Sequence, residues 1–421
     1  MRTRTQNHQY YLGSWGGDGE RVTTFDGLAG MGVQHFGHLF AAREGATIGE
    51  IFQIAHLFLA FVDDEGNRDL MKVVTEDELD VVLKSFQKDK SPGPDGWPVE
   101  FYTRFKDMLG FDLLQVVEES RLSGHIHNPF NSTFIALIPK VDKPDSFDEF
   151  RPISLCNCIY KIISKVISRR IKGVLSRNIT AEQFGFLEGR QIHEAIGVAQ
   201  EGLHSLKTKK LKGVVVKIDL SKAYDRVSWL YIRILLTHLG FCYAFTRWVM
   251  SCICSVSFSV LINGSASPFF TAERGLHQGC PLSPLLFLLV AEGLSRYLRA
   301  ANAERSFHGI PISQALHITH LLFVDDILIF CDGTRRDLQK LNDSLLLFQQ
   351  ASGMLINRHK STISWSNLSV DELRWYTYIL PFQANEVGAG LKYLGFLLKP
   401  NAYHVVDWHW LLAKLGKRFK G

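Results

Sequence analysis

The spacing of apolar residues predicts helices in five segments of the chain. In each segment an apolar side chain recurs every three or four positions, as on one face of a helix. Ser228 and Ser283 precede two of these segments as N-cap residues, with Pro284 at the first helical position of the second. Asp337 is predicted to cap the last helix and Gly353 to end it. The predicted helices cover residues 76–86, 153–174, 229–239, 284–300 and 338–352.

Runs of β-branched and aromatic residues predict strands in five further segments. The third run leads into Asn263-Gly264, a dipeptide typical of a tight hairpin turn. Strands and helices mixed in this way predict an α+β fold. Residues 1–75 are glycine-rich and weakly periodic, and they predict no element. The predicted strands cover residues 133–138, 214–218, 258–262, 321–324 and 327–330.

Composition excludes several classes of protein. The chain has 421 residues, 46% of them hydrophobic, which predicts two or three packed subdomains and excludes a mainly disordered chain. Seven cysteines, an odd number, fit neither a disulfide framework nor a zinc knuckle. No apolar run is long enough to cross a membrane, and no secretory signal opens the chain. We therefore expect a nuclear or cytoplasmic protein.

The positive charge of the chain is unevenly distributed. Its net charge of +5 favours anionic partners. Lysines and arginines are concentrated in residues 161–177 and again in residues 207–212. On composition alone, two solvated faces are a better interpretation of these segments than a nucleic-acid contact.

Three carboxylates form the candidate chemical site. Asp325 and Asp326 lie side by side between two apolar strands, where like charges repel, and Asp219 ends a buried strand. Carboxylates at one sheet edge suit hard divalent cations such as Mg²⁺. Two such ions about 4 Å apart stabilise the attacking and leaving oxygens of phosphoryl transfer.

Adjacent aspartates alone are more often a solvated turn than a metal site. The chain contains a second copy of the tetrapeptide FVDD at residues 61–64. Polar residues follow that copy and no apolar strand lies behind it, so we interpret it as a solvated loop.

An ordered set of motifs resembles reverse transcriptases. HLLFVDD at 320–326 resembles their catalytic hairpin, and KIDLSKAYD at 217–225 resembles their first metal-binding motif. Between them, RGLHQGCPLSP at 274–284 resembles the loop and helix that face the nucleotide and template. One such motif is weak evidence, whereas the ordered set is specific. Further matches are LIPK at 137–140, FRPIS at 150–154, QFGF at 183–186, GR at 189–190, SG at 352–353, IN at 356–357, KS at 360–361 and YLG at 393–395.

The resemblance extends to one branch of the family. SPGPDG at 91–96 resembles an N-terminal extension of LINE-type (non-LTR) and group II intron enzymes, and most motifs are worded most like LINE elements of plants. It implies a right-hand polymerase with fingers and an RRM-like palm, the thumb only begun. The implied ranges are an unassigned remnant at 1–75, fingers with the N-terminal extension at 76–211, palm at 212–398 and the start of a truncated thumb at 399–421.

The resemblance also implies roles for individual residues in an RNA-directed DNA polymerase. Its partners would be an RNA template, a DNA primer and dNTPs, and its cofactor two Mg²⁺ ions, with Mn²⁺ as an alternative. The basic segment 161–177 becomes a template-backbone contact. The implied residues are Asp219, Asp325 and Asp326 for metal binding and catalysis, Lys360 as general acid, Leu220, Tyr224, Lys140, Arg151, Gln278 and Gly279 for the nucleotide, and Tyr393, Leu394 and Gly395 as primer grip.

Several of these roles have a structural alternative. Tyr224, the implied sugar gate, is otherwise a packed core tyrosine. Lys140 and Arg151 are otherwise surface charges, and Lys360 a solvated lysine. Val324 stands where LINE enzymes usually have alanine, and Cys280 where related plant sequences have aspartate.

Alternative functions stay open at this point. No endonuclease or complete thumb is expected within these residues, so a catalytically silent remnant that at most binds nucleic acid is one alternative. A group II intron maturase is another, although no C-terminal maturase region is recognised. A viral RNA-dependent RNA polymerase is less favoured, because Tyr224 is a deoxynucleotide-selecting residue type and Gly-Asp-Asp is absent.

Overall fold

The computed structural model describes residues 14–15, 21–42, 47–314, 316–400 and 403–419. The fold is α+β, as predicted, and consistent with a polymerase. None of the helices in these residues combines the length and the apolar character that crossing a membrane requires. The α-helices are α1 (Phe25–Phe40), α2 (Ile48–Ala55), α3 (Asp64–Leu70), α4 (Glu76–Lys84), α5 (Val99–Arg104), α6 (Lys106–Ser123), α7 (Cys158–Asn178), α8 (Ile192–Thr208), α9 (Ala223–Arg226), α10 (Trp229–His238), α11 (Tyr243–Cys254), α12 (Ser283–Ala303), α13 (Arg335–Ser352), α14 (Val370–Ile379) and α15 (His409–Phe419).

The strands form two five-stranded sheets and several short pairs. Their bounds are β1 (Ser14–Trp15), β2 (Arg21–Val22), β3 (Ser132–Pro139), β4 (Phe150–Cys156), β5 (Gly213–Ile218), β6 (Leu220–Ser221), β7 (Ser257–Ile262), β8 (Ser265–Ala266), β9 (Phe270–Thr271), β10 (Ile310–Pro311), β11 (His317–Ile318), β12 (His320–Phe323), β13 (Asp326–Cys331), β14 (Leu355–Ile356), β15 (Thr362–Ser366), β16 (Gln383–Glu386), β17 (Leu391–Tyr393) and β18 (Phe396–Leu398).

The chain divides into two compact units, each assembled from several chain segments. The first unit falls within Met1–Ile51, Phe58–Asn178 and Tyr224–Val290, and the second within Phe52–Leu57, Ile179–Ala223 and Ala291–Gly421. The fingers, palm and thumb ranges proposed above are contiguous and remain predictions.

The first unit is organised on a sheet in the order β4-β3-β7-β8, with β9 also pairing with β7. Helix α1 packs on this sheet through buried side chains such as Leu28, Phe36 and Phe40. Residues 1–75 predicted no element, because four glycines lower the helix propensity of α1. Burial against Phe258 and Ile262 provides the stabilisation that the local sequence lacks.

The second unit is organised on a sheet in the order β12-β13-β5-β15-β16. Only the β15–β16 pair is parallel; β12–β13, β13–β5 and β5–β15 are antiparallel. Helix α8 covers one face of this sheet with Ala195, Ala199 and Leu203, which pack in one cluster with Leu328 and Phe330. This arrangement buries both strands of the predicted catalytic hairpin.

Two local predictions are wrong, and a third holds only in part. Residues 153–156 were expected to start a long helix, but they end β4, where seven residues pair with β3, and helix α7 begins at Cys158. Thr334, not Asp337, caps α13, because its hydroxyl accepts the Asp337 N–H at 3.2 Å. The second FVDD copy is a loop only as far as Asp63, which caps α3 by accepting the Gly66 N–H at 2.8 Å, whereas Asp64 already begins that helix. Both aspartates are exposed, as expected.

Other local predictions are confirmed. Ser228 caps α10 by accepting the Tyr231 N–H. Asn263 and Gly264 both have positive φ, 50° and 86°, as a tight turn between β7 and β8 requires. Gly353 ends α13 with a φ of 76°.

Candidate active site

The predicted catalytic hairpin and the strand before Asp219 are neighbours in the second unit. Phe323 pairs with Asp326 across the hairpin, so its turn consists of two residues, Val324 and Asp325. On the other side of β13, Ile327 pairs with Ile218 of β5. Asp219 directly follows Ile218 and Asp326 directly precedes Ile327 in this antiparallel pair. The two carboxylate residues therefore lie at the same end of neighbouring strands, with Asp325 on the adjoining turn.

The turn of this hairpin is conformationally strained. Val324 has a φ of 62°, a region that β-branched residues rarely adopt. The side-chain oxygen of Gln183 accepts the N–H of Val324 at 3.1 Å and that of Gly185 at 3.0 Å. Gln183 is 1% exposed, so these bonds are shielded from water. The buried amide thus holds the strained turn in place.

Residues 182–184 extend the sheet beside β12 and support the hairpin from behind. Leu322 donates its N–H to the carbonyl of Glu182 and accepts the N–H of Phe184, both at 2.8 Å. Gly185 lies against Val324, because a Cβ there would be 2.4 Å from Cγ2 of that residue. Arg190 donates to backbone carbonyls of this segment, those of Ile179, Thr180 and Gln183. The QFGF and GR motifs therefore form a brace for the hairpin.

The backbone of Asp219 is held by the segment that contains Lys360. Asp219 donates its N–H to the Ser361 hydroxyl at 3.0 Å, and its carbonyl accepts the Asn357 N–H at 2.8 Å. Lys360 donates its own N–H to Asn357 and has an exposed side chain. Leu220, next in the chain, pairs with Ile356. The closing palm motif therefore sets the position of the first aspartate.

The electrostatics of the site reflect the clustering of carboxylates. Burial raises the pKa of Asp326, and the charges of Asp325 and Asp219 raise it further, while the Lys217 ammonium opposes them. The Lys217 ammonium also donates to the carbonyl of Lys392 at 3.0 Å. The charges of the three carboxylates therefore repel one another, and a bound divalent cation would reduce this repulsion.

A different trio brings three candidate metal donors close together in the described part of the chain. Ligand atoms of His308, Asp332 and Asp337 all lie within 4.8 Å of one another. The fully buried Asp337 carboxylate accepts the backbone N–H groups of His308 and Asp332. It also lies 3.1 Å from a ring nitrogen of His308, within hydrogen-bond distance. These bonds satisfy the carboxylate and anchor the start of α13, so we interpret the trio as structural.

In the first unit, Lys140 and Arg151 project from one face of the β3–β4 pair. Arg151 pairs with Ile138, and Lys140 lies two positions after Ile138, so its side chain shares that face. Arg151 is exposed. The Lys140 ammonium donates to the carbonyl of Asp148 at 2.8 Å, and its backbone N–H to that of Glu149. The lysine is therefore already anchored locally, whereas the guanidinium extends into solvent.

The loop that carries Gln278 and Gly279 is also built in the first unit. The Gln278 side-chain amide donates to the carboxylate of Asp225 at 2.9 Å, and the backbone carbonyl of Gln278 accepts the Ser154 N–H at 2.8 Å. Gly279 has a φ of 119°, and a Cβ there would be 3.1 Å from the carbonyl oxygen of Ser154. The positive φ, together with the close approach of β4, therefore favours glycine at this position.

Tyr224 stacks on a core aromatic residue of the same unit. Its ring centroid lies 4.6 Å from that of Phe287, and the two planes are 12° apart. Its carbonyl accepts the N–H of Leu276 at 2.7 Å. Phe287 is fully buried, whereas Tyr224 is only half-buried. One ring face is thus fixed by the core, an arrangement that suits a rigid steric barrier.

The predicted primer grip is a hairpin in the second unit. Tyr393 pairs with Phe396, and both turn residues, Leu394 and Gly395, have positive φ. Tyr393 is fully buried in the core of the unit, and burial together with the charge of Asp326 raises the pKa of its hydroxyl. Its side chain therefore supports the hairpin from inside, and only the turn residues lie at its tip.

A buried polar network lies beneath the start of the catalytic hairpin. The fully buried imidazole of His320 contacts the Ser295 hydroxyl at 2.8 Å, and Ser295 contacts the Thr180 hydroxyl at 2.7 Å. Glu292 accepts from the backbone N–H and hydroxyl of Thr180 and from the Arg296 guanidinium. Burial raises the pKa of Glu292 to about 7 and lowers that of His320 to about 4.

The family can now be assigned. A sequence profile described as "Reverse transcriptase (RNA-dependent DNA polymerase)" matches residues 138–398. The chain belongs to the reverse transcriptase family. The matched span includes every candidate site residue of both units, from Lys140 to Gly395.

Curated relatives of the chain include proteins of non-LTR retrotransposons. It is 28% identical to the transposon TX1 uncharacterized 149 kDa protein of Xenopus laevis, over 82% of the chain and 26% of that protein. It is 24% identical to the Pol polyprotein of retrotransposable element R2 of Popillia japonica, over 68% of the chain and 39% of that protein. An uncharacterised mitochondrial protein of Arabidopsis thaliana is 43% identical over 18% of the chain and 62% of its own length. The chain thus spans well under half of the first two relatives.

Sequence reasoning missed some residues that hold other candidate site residues in position. Gln183 was assigned only to a template-side motif, and Asp225 received no role although it holds Gln278. Ser361 was quoted within a motif, but its bond to Asp219 depends on a partner 142 residues away. The signal available in the sequence was only that these polar residues fall within the quoted motifs.

Proposed function

We propose that this chain is an RNA-directed DNA polymerase that adds deoxynucleotides to a primer 3′-OH on an RNA template. The observation that carries the proposal is the position of Asp219 and Asp326 at one end of the neighbouring strands β5 and β13, with Asp325 on the adjoining turn. The relatives R2 and TX1 belong to mobile elements, which supports such an activity without extending the rest of their functions to this chain.

Divalent cations fit the donor set of this site. Asp219, Asp325 and Asp326 would hold two Mg²⁺ ions, or Mn²⁺ in their place, with assistance from the Leu220 carbonyl. Carboxylate oxygens are the hard ligands that such ions prefer. The charges of Asp219 and Asp325 raise the pKa of Asp326, and bound cations would offset this repulsion. When bound, the ions supply charge stabilisation for in-line nucleotidyl transfer.

Other residues would bind and select the nucleotide. The exposed Arg151 guanidinium suits bidentate binding of the triphosphate, and Lys140 would add charge beside it. Tyr224, fixed against Phe287, would exclude a 2′-hydroxyl. Gln278, oriented by Asp225, and Gly279 would let the nucleotide and template approach closely.

The remaining roles concern the leaving group, the primer and the template. Lys360 is exposed and belongs to the segment that holds Asp219, and it would protonate pyrophosphate. Tyr393 would support a primer grip whose tip is Leu394-Gly395. A template contact on α7 would use its exposed positions, such as Arg169 and Lys172. Arg170 would not take part in this contact, because its guanidinium donates two hydrogen bonds to the Glu78 carboxylate.

The relationship to plant elements and the cellular location are also proposals. A relationship to plant elements rests on motif wording and on the short Arabidopsis thaliana match, whereas the longer matches cited above are to animal proteins. Nuclear or cytoplasmic residence follows from the expected substrates.

Primer extension on an RNA template with Mg²⁺ and dNTPs tests the proposal. We expect extension by the chain and its loss in Asp325→Asn and in Asp219→Asn. Asp64→Asn, in the second FVDD copy, is the matched control and keeps the activity, since Asp64 only begins α3. Extension that survives in both site variants would refute the assignment. Extension by none of the folded proteins would favour a chain that binds nucleic acid without copying it.

A further inference from the structure

A cavity in the first unit contains none of the candidate active-site residues. It lies between residues 124–128 and the helices α10 and α11, and its volume is about 560 Å³. This size falls within the range of about 300–1,000 Å³ that small-molecule sites occupy. The lining residues that bear on its chemistry are His125, Arg233, Tyr243, Thr246, Arg247 and Cys254.

The charge of this cavity is positive and uncompensated. Arg233 and Arg247 both line it, and no acidic residue is among the described residues of the lining. Within the described part of the chain, neither guanidinium forms a salt bridge. The stem of Arg247 packs on Gly124, where a Cβ would lie 3.0 Å from its Cγ and Cδ. The guanidinium is therefore positioned in advance of any ligand.

Two further features of the cavity point to a ligand. Thr246 is 5% exposed, and its hydroxyl has no hydrogen-bond partner among the described residues, although buried hydroxyls normally have one. Tyr243 is 78% exposed beside the arginines, so a large aromatic ring faces solvent. An unpaired base stacks readily on such a ring.

We propose that this cavity binds one nucleotide unit of a single-stranded nucleic acid. Its phosphate lies between Arg233 and Arg247, because a planar guanidinium binds phosphate through two parallel hydrogen bonds. Its base stacks on Tyr243, which requires a base that is not in a duplex. Thr246 supplies a hydroxyl to the ligand. The site binds substrate strands without taking part in catalysis, so it does not depend on polymerase activity.

Cys254 provides a local measurement, because it is exposed and lines the same cavity. Partial burial raises the pKa of its thiol to about 11, so labelling is followed at alkaline pH, where more thiolate is present. The full chain, without dNTPs, is treated with N-ethylmaleimide, and the labelling rate of Cys254 is followed by peptide mass spectrometry. We expect an oligouridylate RNA or the matching single-stranded DNA to slow labelling several-fold. Cys242, half-buried and outside the lining, reports general effects and keeps its rate.

Variants assign the protection to the cavity. Arg233→Gln with Arg247→Gln, and separately Tyr243→Ser, should abolish protection of Cys254. Arg104→Gln and Tyr378→Ser remove an exposed arginine and an exposed tyrosine elsewhere and should leave protection intact. Circular dichroism confirms folding, and extension of a short annealed primer should be unchanged in all of these variants. A chain that protects Cys254 without extending a primer would separate this site from the proposed function.

The competitor identifies the ligand class. Stronger protection by RNA than by DNA assigns RNA, and equal protection supports a site for either strand. Protection by inorganic phosphate as strong as that by the oligonucleotide would overturn the proposal in favour of a simple anion site. Protection by polyglutamate and not by oligonucleotides would overturn it in favour of an acidic peptide. Protection that persists in the arginine and tyrosine variants, or no protection at all, would also overturn it.

Discussion

The side-chain oxygen of Gln183 accepts the backbone N–H of Val324 at 3.1 Å, directly before the Asp325-Asp326 pair. This bond and the one to Gly185 hold a valine at positive φ. Strained backbone persists at functional sites when the surrounding structure determines it. The buried amide is therefore a positioning group for the carboxylates, although it touches neither of them.

Gln183→Ala should lower kcat for nucleotide addition while leaving the KM for dNTP unchanged. An unsatisfied buried N–H costs about 1–3 kcal/mol, which corresponds to roughly tenfold or more in rate if the active hairpin bears it. Steady-state primer extension measures both constants. Gln339→Ala, at an exposed position of α13, is the control. Adding Val324→Gly should recover part of the rate, since glycine adopts positive φ freely. A normal kcat in Gln183→Ala would exclude the positioning role.

Gly185→Ala should destabilise the second unit by forcing a Cβ to within 2.4 Å of Val324 Cγ2. Overpacking of this kind costs about 1–3 kcal/mol. Urea unfolding of Gly185→Ala, Val324→Ala and the double variant forms a thermodynamic cycle. Because Val324→Ala removes Cγ2, the double variant should be more stable than the sum of the single effects. Strict additivity would show that the two residues do not compete for this space.

Arg151→Ala should raise the KM for dNTP more than Lys140→Ala does. The arginine side chain is exposed, whereas the lysine ammonium is already bonded to the Asp148 carbonyl. We expect a rise of roughly tenfold for the arginine, equivalent to about 1.4 kcal/mol of lost phosphate binding. Single-nucleotide incorporation measures the KM values, with Arg104→Ala as an exposed control. Equal effects at positions 140 and 151 would contradict the distinction.

Tyr224→Ala should increase incorporation of ribonucleotides relative to deoxynucleotides. Its ring is held by Phe287 at a centroid distance of 4.6 Å, so removing it opens space at a fixed boundary. Tyr224→Phe keeps the stacked ring and should retain sugar selection. Competition between rNTP and dNTP in primer extension gives the ratio. Unchanged selection in the alanine variant would support a purely structural tyrosine.

Glu292 should make stability depend on pH. Its pKa is raised from 4.5 to about 7 in the folded chain. The protonated form is thus favoured by folding, so stability is highest below the unfolded pKa and falls as pH rises towards 7, after which it levels off. Compared with Glu292→Gln, the wild type should lose on the order of 3 kcal/mol between pH 4.5 and 8. Urea unfolding at both pH values checks this difference, and a pH-independent difference would contradict it.

Much of the local structure was predictable, because its causes lie within a few residues. The β-branched run before Asp219, the turn at Asn263-Gly264 and the cap at Ser228 depend on backbone sterics and neighbouring N–H groups. The three candidate carboxylates were likewise recognisable from their strands and motif order. Their catalytic roles remain predictions to be tested.

Pairing between distant segments was not predictable in the same way. The apolar run after Pro152 suits a strand or a helix, and only its pairing with β3 made it a strand. Asp337 has a residue type typical of helix caps, but Thr334 occupies the cap position. The buried Asp337 carboxylate instead accepts the backbone N–H of His308. Helix α1 lacks propensity and depends on burial against another segment of the chain.

Sequence alone determined the family of this protein, the strands that carry its aspartates and the residue types able to bind metal and phosphate. Tertiary structure alone decided that Gln183 holds the turn at Val324, that Ser361 holds Asp219 and that burial raises the pKa of Glu292 to about 7. The physical reason is that hydrogen bonds and burial act between groups close in space. Gln183 and Val324, Ser361 and Asp219, and Glu292 and Thr180 each lie more than a hundred positions apart in the chain.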